Sequence, residues 1–374
     1  MTLVALFGCF GLFGAFVGVQ GVLWAELMEA LRLSEGTFGS AQLAAPLVAI
    51  AVLLAGGALC SRASKKALTL LSLAFLAGSA LVLAGTRSVG MFVGGLVLGG
   101  AGSGLLEVAL NGAALDWERA RHRPVMNVLH AGFSAGAVLG ALGAGALLQG
   151  AWRYGEVLGL VALLCSVVAV AVAAVRFPPA EAEAPRAPAG TLRLLWDRPV
   201  LAGLALLGVQ GIVGESVANT WSVIYLRSLG APVLAGGAAF AGFNGAMLLG
   251  RLSNATLVTR WGESAALRAS GTGLVLAAGL LALPGGAGLA AAAFVLMGLA
   301  VAGVVPTVLG AAARVAPGQT GAVAGAIMAA AYGGFIVSPP LIGWLAELAS
   351  LRVALYTVGL AGLAVLWLTG QVRD

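Results

Sequence analysis

Long uninterrupted apolar runs are the feature that most limits what this chain can fold into. Charged and turn-forming residues separate twelve such runs, each close to the roughly 20 residues that a helix needs to cross a hydrocarbon core of about 30 Å. Open sheet edges cannot face lipid, so the runs predict an all-α membrane protein with twelve transmembrane helices. The runs occupy residues 3–25, 37–60, 67–85, 89–113, 125–150, 157–175, 200–226, 233–257, 265–283, 287–312, 321–346 and 353–370.

The composition excludes a soluble domain and indicates an orientation. Of 374 residues, 60% are hydrophobic and only 9% are charged. With the N-terminus inside, five of the twenty Lys and Arg residues fall on the outer side and fifteen on the inner side, which predicts that both termini are cytoplasmic. This imbalance accounts for the net charge of +6 without a nucleic-acid partner. The five outer residues are Arg32, Arg87, Arg153, Arg227 and Arg352.

The longest polar interval separates six predicted helices from six more. It runs from Arg176 to Pro199, is rich in Pro, Ala and Glu, and cannot form a core. The stretch GVQGVLWAE on the first helix returns as GVQGIVGES on the seventh, which indicates an internal duplication. The predicted parts are a six-helix bundle over 1–175, a cytoplasmic linker over 176–199 and a second six-helix bundle over 200–374.

Two carboxylic acids fall inside predicted spans, where a charged side chain costs about 2.5–3.5 kcal/mol on insertion scales. Glu107 and Glu215 are each followed four residues later by an asparagine, Asn111 and Asn219, so each pair lies on one helix face. Carboxylate acceptors beside amide donors suit the hydroxyl groups of a sugar or polyol. We interpret the acids as protonation or substrate-binding sites. The alternative is a packing role through a hydrogen bond to a neighbouring helix.

A histidine on the fifth predicted helix is the expected partner of Glu107 in proton coupling. If the loop runs from Ala114 to Arg123, Glu107 and His130 each lie seven residues from it, at a similar depth of about 10 Å. A histidine bonded to a backbone carbonyl is the alternative. The intervening stretch DWERARHRP is expected to be an inner loop with cytoplasmic salt links.

Four more residues complete the predicted substrate-binding set. Gln20 and Gln210, the polar members of the repeated motif, are expected to approach one cavity from opposite halves, with bonds to neighbouring helices as the alternative. Asn244 lies in the eighth span and Trp221 in the seventh. Trp221 has a second interpretation as an anchor at the membrane surface.

Three isolated cysteines predict neither a disulfide nor a metal site.

Small residues at helical spacing are expected to let helices pack closely. Gly132, Gly136 and Gly140 form one such stripe, and GGAGSG at 99–104 forms another.

Several longer stretches carry a resemblance to a known family: GSGLLEVALNGAALDWER with PVMNVLHAGFSAGAVLGA, GESVANTWSVIYL, AGFNGAMLLGRL, GVVPTVLGAAA and GGFIVSPPLIGWL. They resemble the major facilitator superfamily across nearly the whole chain, and more narrowly its fucose-permease-like branch and allied bacterial inner-membrane permeases. The resemblance implies two pseudo-symmetric six-helix bundles, a bacterial inner-membrane location and action as a monomer.

The chain departs from the superfamily pattern in the loop after the second helix, which usually reads G-x-L-x-D-R-x-G-x-R. Here Ser61 stands in place of the acid, and Asn254 occupies the approximate equivalent position in the second half. Thr220 stands where related permeases often carry an Asp before the tryptophan of the seventh helix. Fucose permease carries an acid in its first helix near the place where this chain has Gln20 and Gly21, so its proton route is not expected to transfer unchanged.

Together these features predict a secondary transporter that moves a small polar, sugar-like solute by alternating access. A proton gradient is the expected energy source, and neither a cofactor nor an enzymatic activity is expected. The expected partners are the solute and the lipid bilayer. Two alternatives remain open: an efflux antiporter for drugs or amphipaths, which the polar residues argue against, and a receptor or scaffold without transport.

Overall fold

A computed structural model describes residues 2–123, 125–177, 193–316 and 320–371, which form helices and short connections. Within them, twelve helical segments are long and apolar enough to cross a membrane, in agreement with the predicted number. We number them span 1 to span 12 in chain order: Thr2–Ala30, Glu35–Leu54, Lys65–Ala84, Val89–Arg121, Val128–Gln149, Tyr154–Ala174, Pro199–Ser228, Val233–Trp261, Glu263–Ala282, Ala287–Val315, Val323–Leu348 and Leu351–Leu368.

Four spans consist of two helices separated by a short break. Span 10 shows the clearest cause, because Pro306 has no N–H to donate to the carbonyl of Ala302, and the helix breaks at Gly303 between them. Pro339 and Pro340, by contrast, lie inside one continuous helix of span 11. The paired helices are Glu35–Ala41 and Ala44–Leu54, Ala287–Ala302 and Val304–Val315, Thr320–Ala331 and Gly333–Leu348, and Leu351–Leu355 and Thr357–Leu368.

Span 4 continues beyond its predicted end, and this corrects the expectation of a loop. The helix runs on to Arg121, so most of DWERARHRP is helical. The Glu118 carboxylate accepts hydrogen bonds from the backbone N–H groups of Val125 and Met126 at 2.6 and 2.8 Å. These bonds satisfy donors at the start of the next helix, Met126–Gln149, and hold the connection between the two helices short.

The described residues form two compact units. One contains Met1–Arg32 and Ala41–Arg186, and the other contains Leu33–Ser40 and Ala187–Asp374. The boundary between Arg186 and Ala187 falls inside the predicted linker. Residues 178–192 of that linker lie outside the described part. The segment Leu33–Ser40 was expected in the first bundle, but it packs with the second unit.

Small residues and hydrogen bonds attach Leu33–Ser40 to span 11. The backbone N–H of Gly36 donates to Glu347 at 3.0 Å, and the indole N–H of Trp344 donates to Ser40 at 3.1 Å. Gly39 lies directly against the backbone of Pro339, where a β-carbon would not fit. The absence of side-chain bulk therefore brings two backbones together, as at small-residue helix interfaces in membranes.

The predicted glycine stripe of the first unit does pack spans 1 and 5 together. Gly136 lies against the backbone of Gly11, and Gly140 against that of Ala15. The stretch GGAGSG serves the same purpose in span 4, where Gly100 lies against the backbone of Ala45 in span 2. Spans 1 and 4 are thus largely apolar, closely packed helices, and the polar residues within them are exceptions to that composition.

Candidate functional site

The central feature of the second unit is an ion pair between two of its spans. A guanidinium nitrogen of Arg251 in span 8 lies 3.4 Å from a carboxylate oxygen of Glu215 in span 7. The contact is longer than the roughly 2.7–2.9 Å of a tight charge-assisted hydrogen bond. The Arg251 side chain is 42% exposed and that of Glu215 is 19% exposed. The pair is loose and accessible, so a third polar group can join it.

Both members of this pair lie well inside their helices. Glu215 stands 16 residues after Pro199, the first residue of span 7, which corresponds to about 24 Å. Arg251 stands 10 residues before Trp261, the last residue of span 8, or about 15 Å from the helix end. Charged residues at such positions in membrane helices usually serve substrate or ion pathways.

Asn219 adds an acceptor to the same face of span 7 as Glu215. Its amide oxygen is buried and has no hydrogen-bond partner among the described residues. An acceptor in this position costs about 1–3 kcal/mol when no donor reaches it. The amide oxygen is therefore well suited to receive a hydroxyl or N–H group from a bound molecule.

Of the remaining candidates of the second unit, Asn244 and Trp221 are more deeply buried than Glu215. Asn244 is 4% exposed, and its amide nitrogen donates to the Phe240 carbonyl of its own helix at 3.1 Å. Trp221 is fully buried, so its interpretation as a membrane-surface anchor is wrong. Its ring packs edge-to-face on Phe38, with centroids 5.4 Å apart. Gln210 is half-buried on span 7.

The first unit carries a second polar set on spans 1 and 4. Glu107 and Asn111 are both half-buried, one helical turn apart on span 4. The amide oxygen of Asn111 is buried and, like that of Asn219, lacks a hydrogen-bond partner within the described part of the chain. Gln20 of span 1 is half-buried, with its amide nitrogen beside Gly99 of span 4. The expectation that Gln20 and Gln210 line one cavity stays a prediction.

The premise that placed Glu107 and His130 at equal depth is wrong. Span 4 ends at Arg121, 14 residues after Glu107, whereas the following helix begins at Met126, four residues before His130. His130 is exposed, and its ring packs on that of Phe10 with centroids 5.2 Å apart. The partnership of Glu107 and His130 stays a prediction, without the support of matching depth.

Asn254, which replaces the expected acid in the second half, makes a neutral contact. Its amide nitrogen donates to the hydroxyl of Thr307 at 3.2 Å, and both residues are buried. Asn254 also lies against Gly303, where span 10 breaks. A hydrogen bond between spans 8 and 10 thus stands where the superfamily pattern has a charge.

Arg251 is the residue of the candidate site that sequence reasoning missed. It is one of the fifteen inner basic residues that indicate orientation, and it lies six residues inside the end of the predicted span 233–257. An arginine inside an apolar run was the available signal, since such residues mark functional sites in membrane helices.

Comparisons with known proteins agree with this architecture. A sequence model of the Major Facilitator Superfamily matches residues 6–333. An uncharacterised transporter of Sinorhizobium fredii is 32% identical over 270 residues, which cover 71% of this chain and 70% of that protein.

Solved structures also share the fold. A mutant of the nucleoside transporter NupG has a TM-score of 0.88 at 12% identity, with both chains fully covered. A variant of the E. coli fucose:proton symporter FucP has a TM-score of 0.65 at 16% identity, covering 100% of this chain and 98% of that one. Given the twelve spans, the duplicated motif and the match over residues 6–333, the chain belongs to the major facilitator superfamily of transporters.

Proposed function

We propose that this transporter moves a small, neutral, polyhydroxylated solute by alternating access. The observation that carries the proposal is the loose ion pair of Glu215 and Arg251, with the amide oxygen of Asn219, which has no partner among the described residues, on the same face as Glu215. The guanidinium offers several N–H donors, and the carboxylate and amide oxygens offer acceptors. A hydroxyl group is both donor and acceptor, so several hydroxyls on one solute can satisfy all three side chains.

The charges of the site favour a solute without net charge. Glu215 and Arg251 neutralise each other, so a neutral solute leaves no charge uncompensated inside the protein. A strongly anionic solute would have to displace Glu215 from Arg251 and leave that carboxylate unpaired. A strongly cationic solute would leave the guanidinium unpaired in the same way. Sugars and nucleosides fit the neutral case, and the structural neighbours carry the names of a nucleoside transporter and a fucose:proton symporter.

Protons are the coupling ion that we propose, with Glu107 as their site. Glu107 is not a member of the Glu215–Arg251 pair, and it has Asn111 one turn away on span 4. Carboxylates inside membrane spans commonly serve as proton sites in transporters. The proton gradient then drives solute accumulation.

A thermal-shift screen of the purified protein tests the solute class. We expect sugars or nucleosides to raise the melting temperature, because a ligand at 100 times its dissociation constant adds about 2.7 kcal/mol of stability. Amino acids and hydrophobic amines serve as comparison panels. Stabilisation by the amines alone would favour an efflux antiporter. If no compound raises the melting temperature and labelled solute shows no counterflow in liposomes, the results would favour a receptor or scaffold.

Both termini and the linker at 176–199 are proposed to lie on the cytoplasmic side of a bacterial inner membrane. A cysteine at Ala187 should then resist an impermeant maleimide in intact spheroplasts and react after the membrane is permeabilised. A cysteine at Arg87, exposed in the connection between spans 3 and 4, should react before permeabilisation and is the matched control. Reaction of position 187 in intact spheroplasts would reverse the proposed orientation.

A further inference from the structure

Span 7 carries a row of buried polar side chains that continues from the ion pair towards the end of the span at Ser228. Ser216, Asn219 and Ser222 follow Glu215 within seven residues. The two serine hydroxyls and the amide oxygen of Asn219 are buried and have no hydrogen-bond partner among the described residues. Ser216 is 1% exposed and Ser222 is 0% exposed. Neither serine belongs to the predicted substrate-binding set.

These polar side chains share one side of span 7. Successive residues of an α-helix are about 100° apart, so Glu215, Ser216, Asn219 and Ser222 fall within about 120° of the helix circumference. Trp221 falls on nearly the opposite side, in agreement with its packing on an aromatic ring elsewhere in the second unit. The row is therefore a property of one helix face and not of the whole segment.

Span 8 covers this face. Arg251 contacts Glu215 at one point, and at another the side chain of Val223 lies 2.9 Å from the place that a β-carbon on Gly236 would take. Asn244 is buried and stands seven residues before Arg251, so it lies two turns away on the same side of span 8. We call the residues enclosed between the two spans the polar seam: Glu215, Ser216, Asn219 and Ser222 of span 7, and Asn244 and Arg251 of span 8.

The polar seam has an accessible end and a closed end. The side chains of Arg251 and Glu215 are 42% and 19% exposed, whereas Ser222 is fully buried. The seven residues from Glu215 to Ser222 correspond to about 10 Å along the helix axis. A single sugar ring spans roughly one helical turn, about 5.4 Å. Only a longer solute can therefore contact the ion pair and Ser222 at the same time.

The unpartnered atoms make the closed seam unfavourable. A buried polar atom without a hydrogen bond destabilises the conformation that contains it, and here three such atoms lie within two helical turns. A solute that enters beside the ion pair and separates the two spans can supply the partners. Its hydroxyl groups can donate to Asn219, and they can both donate to and accept from Ser216 and Ser222.

We propose that the solute site extends along the polar seam to Ser222, and that the transporter prefers a polyhydroxylated solute of two rings to a monosaccharide. This inference rests on the proposed function and adds the length of the solute to it. The ion pair of Glu215 and Arg251 holds one ring, and Ser216 and Ser222 bind the other. A disaccharide and a nucleoside both have the required length and hydroxyl groups.

Ser222→Ala tests the seam without any solute. Alanine removes a buried hydroxyl that has no partner, so the melting temperature of the solute-free protein should rise. Ser228→Ala is the matched control on the same span, because its hydroxyl donates to the Tyr225 carbonyl at 2.7 Å and its removal should give no rise. An unchanged or lower melting temperature of Ser222→Ala would overturn the inference, since the hydroxyl would then be no burden to the folded protein.

Solutes of different length test the preference. Dissociation constants are measured by thermal-shift titration for glucose, galactose and fucose, and for maltose, sucrose and uridine. We expect the tightest two-ring compound to bind at least roughly tenfold more tightly than any monosaccharide. Ser222→Ala should weaken its binding roughly 3- to 10-fold, as for the loss of one hydrogen bond, and change monosaccharide binding by less than about twofold.

The outcomes separate this inference from the function on which it rests. Equal affinity for one-ring and two-ring compounds, or equal weakening of both by Ser222→Ala, would overturn the inference and leave the proposed function standing. Binding of no compound from either group would overturn both. Tightest binding of maltose or sucrose would support a disaccharide as the solute, and tightest binding of uridine would support a nucleoside.

Discussion

Arg251→Gln is expected to lower solute affinity by roughly 10- to 100-fold. Hydrogen bonds to charged groups contribute about 1.5–3 kcal/mol, and each 1.4 kcal/mol corresponds to a factor of ten. Glutamine removes the charge and most donors, and it leaves Glu215 without the ion-pair partner that lies 3.4 Å away. Thermal-shift titration with the stabilising solute from the screen measures the change in dissociation constant.

Arg260→Gln is the matched control, because it removes a charge from the same span. Arg260 is exposed near the helix end, where its guanidinium lies over the ring of Trp261, 5.7 Å from the centroid. We expect its affinity to stay within about twofold of the parent, as for surface substitutions away from a site. Glu215→Gln combined with Arg251→Gln should cost less than the sum of the two single changes, because the residues are in contact. Parent-like affinity of Arg251→Gln would remove Arg251 from the site.

The architecture could be predicted because the bilayer imposes a length and a composition on every span. Twelve apolar runs predicted twelve helices, and GVQG on the first and seventh predicted the duplication. Helix ends were less predictable, since helices continue past the apolar region. Span 4 runs from its predicted end at residue 113 to Arg121 because Ala, Glu and Arg favour helix and Glu118 caps the next helix.

Only the parts of the candidate site whose residues lie close together in the sequence could be predicted. Glu215 and Asn219 share a helix face by their spacing, and this required no knowledge of packing. Arg251 lies 36 residues from Glu215, and the two meet only because spans 7 and 8 pack. The sequence therefore places Arg251 among the inner basic residues but does not reveal that Glu215 is its partner.

Packing between distant segments was the least predictable feature. Trp221 near the end of an apolar run has the composition signal of a surface anchor, yet it is completely buried beside Phe38. Phe38 belongs to Leu33–Ser40, which joins the second unit despite its place early in the chain. A tryptophan near the end of an apolar run acts as a membrane-surface anchor only when no other segment packs on it. Packing by a distant segment cannot be read from the amino-acid sequence.

Glu107→Gln is expected to abolish pH-driven solute accumulation while solute exchange across liposomes continues. Glutamine keeps the shape and hydrogen-bonding capacity of glutamate but cannot take up or release a proton. Glu107 lies half-buried on span 4, one turn before Asn111, whose amide oxygen has no partner in the part of the chain that the structure describes. The measurement compares accumulation of labelled solute under an imposed pH gradient with counterflow in the absence of a gradient.

Two companion variants make the outcome specific to Glu107. Glu29→Gln removes an exposed acid at the end of span 1 in the same unit and should leave both activities unchanged. Glu107→Ala should impair exchange as well as accumulation, because it removes a hydrogen-bonding acceptor that glutamine keeps. Accumulation with parent-like pH dependence in Glu107→Gln would exclude a proton role. If exchange fails equally in Glu107→Gln and Glu107→Ala, the ionised carboxylate itself binds the solute, and the coupling proton must be carried by another group.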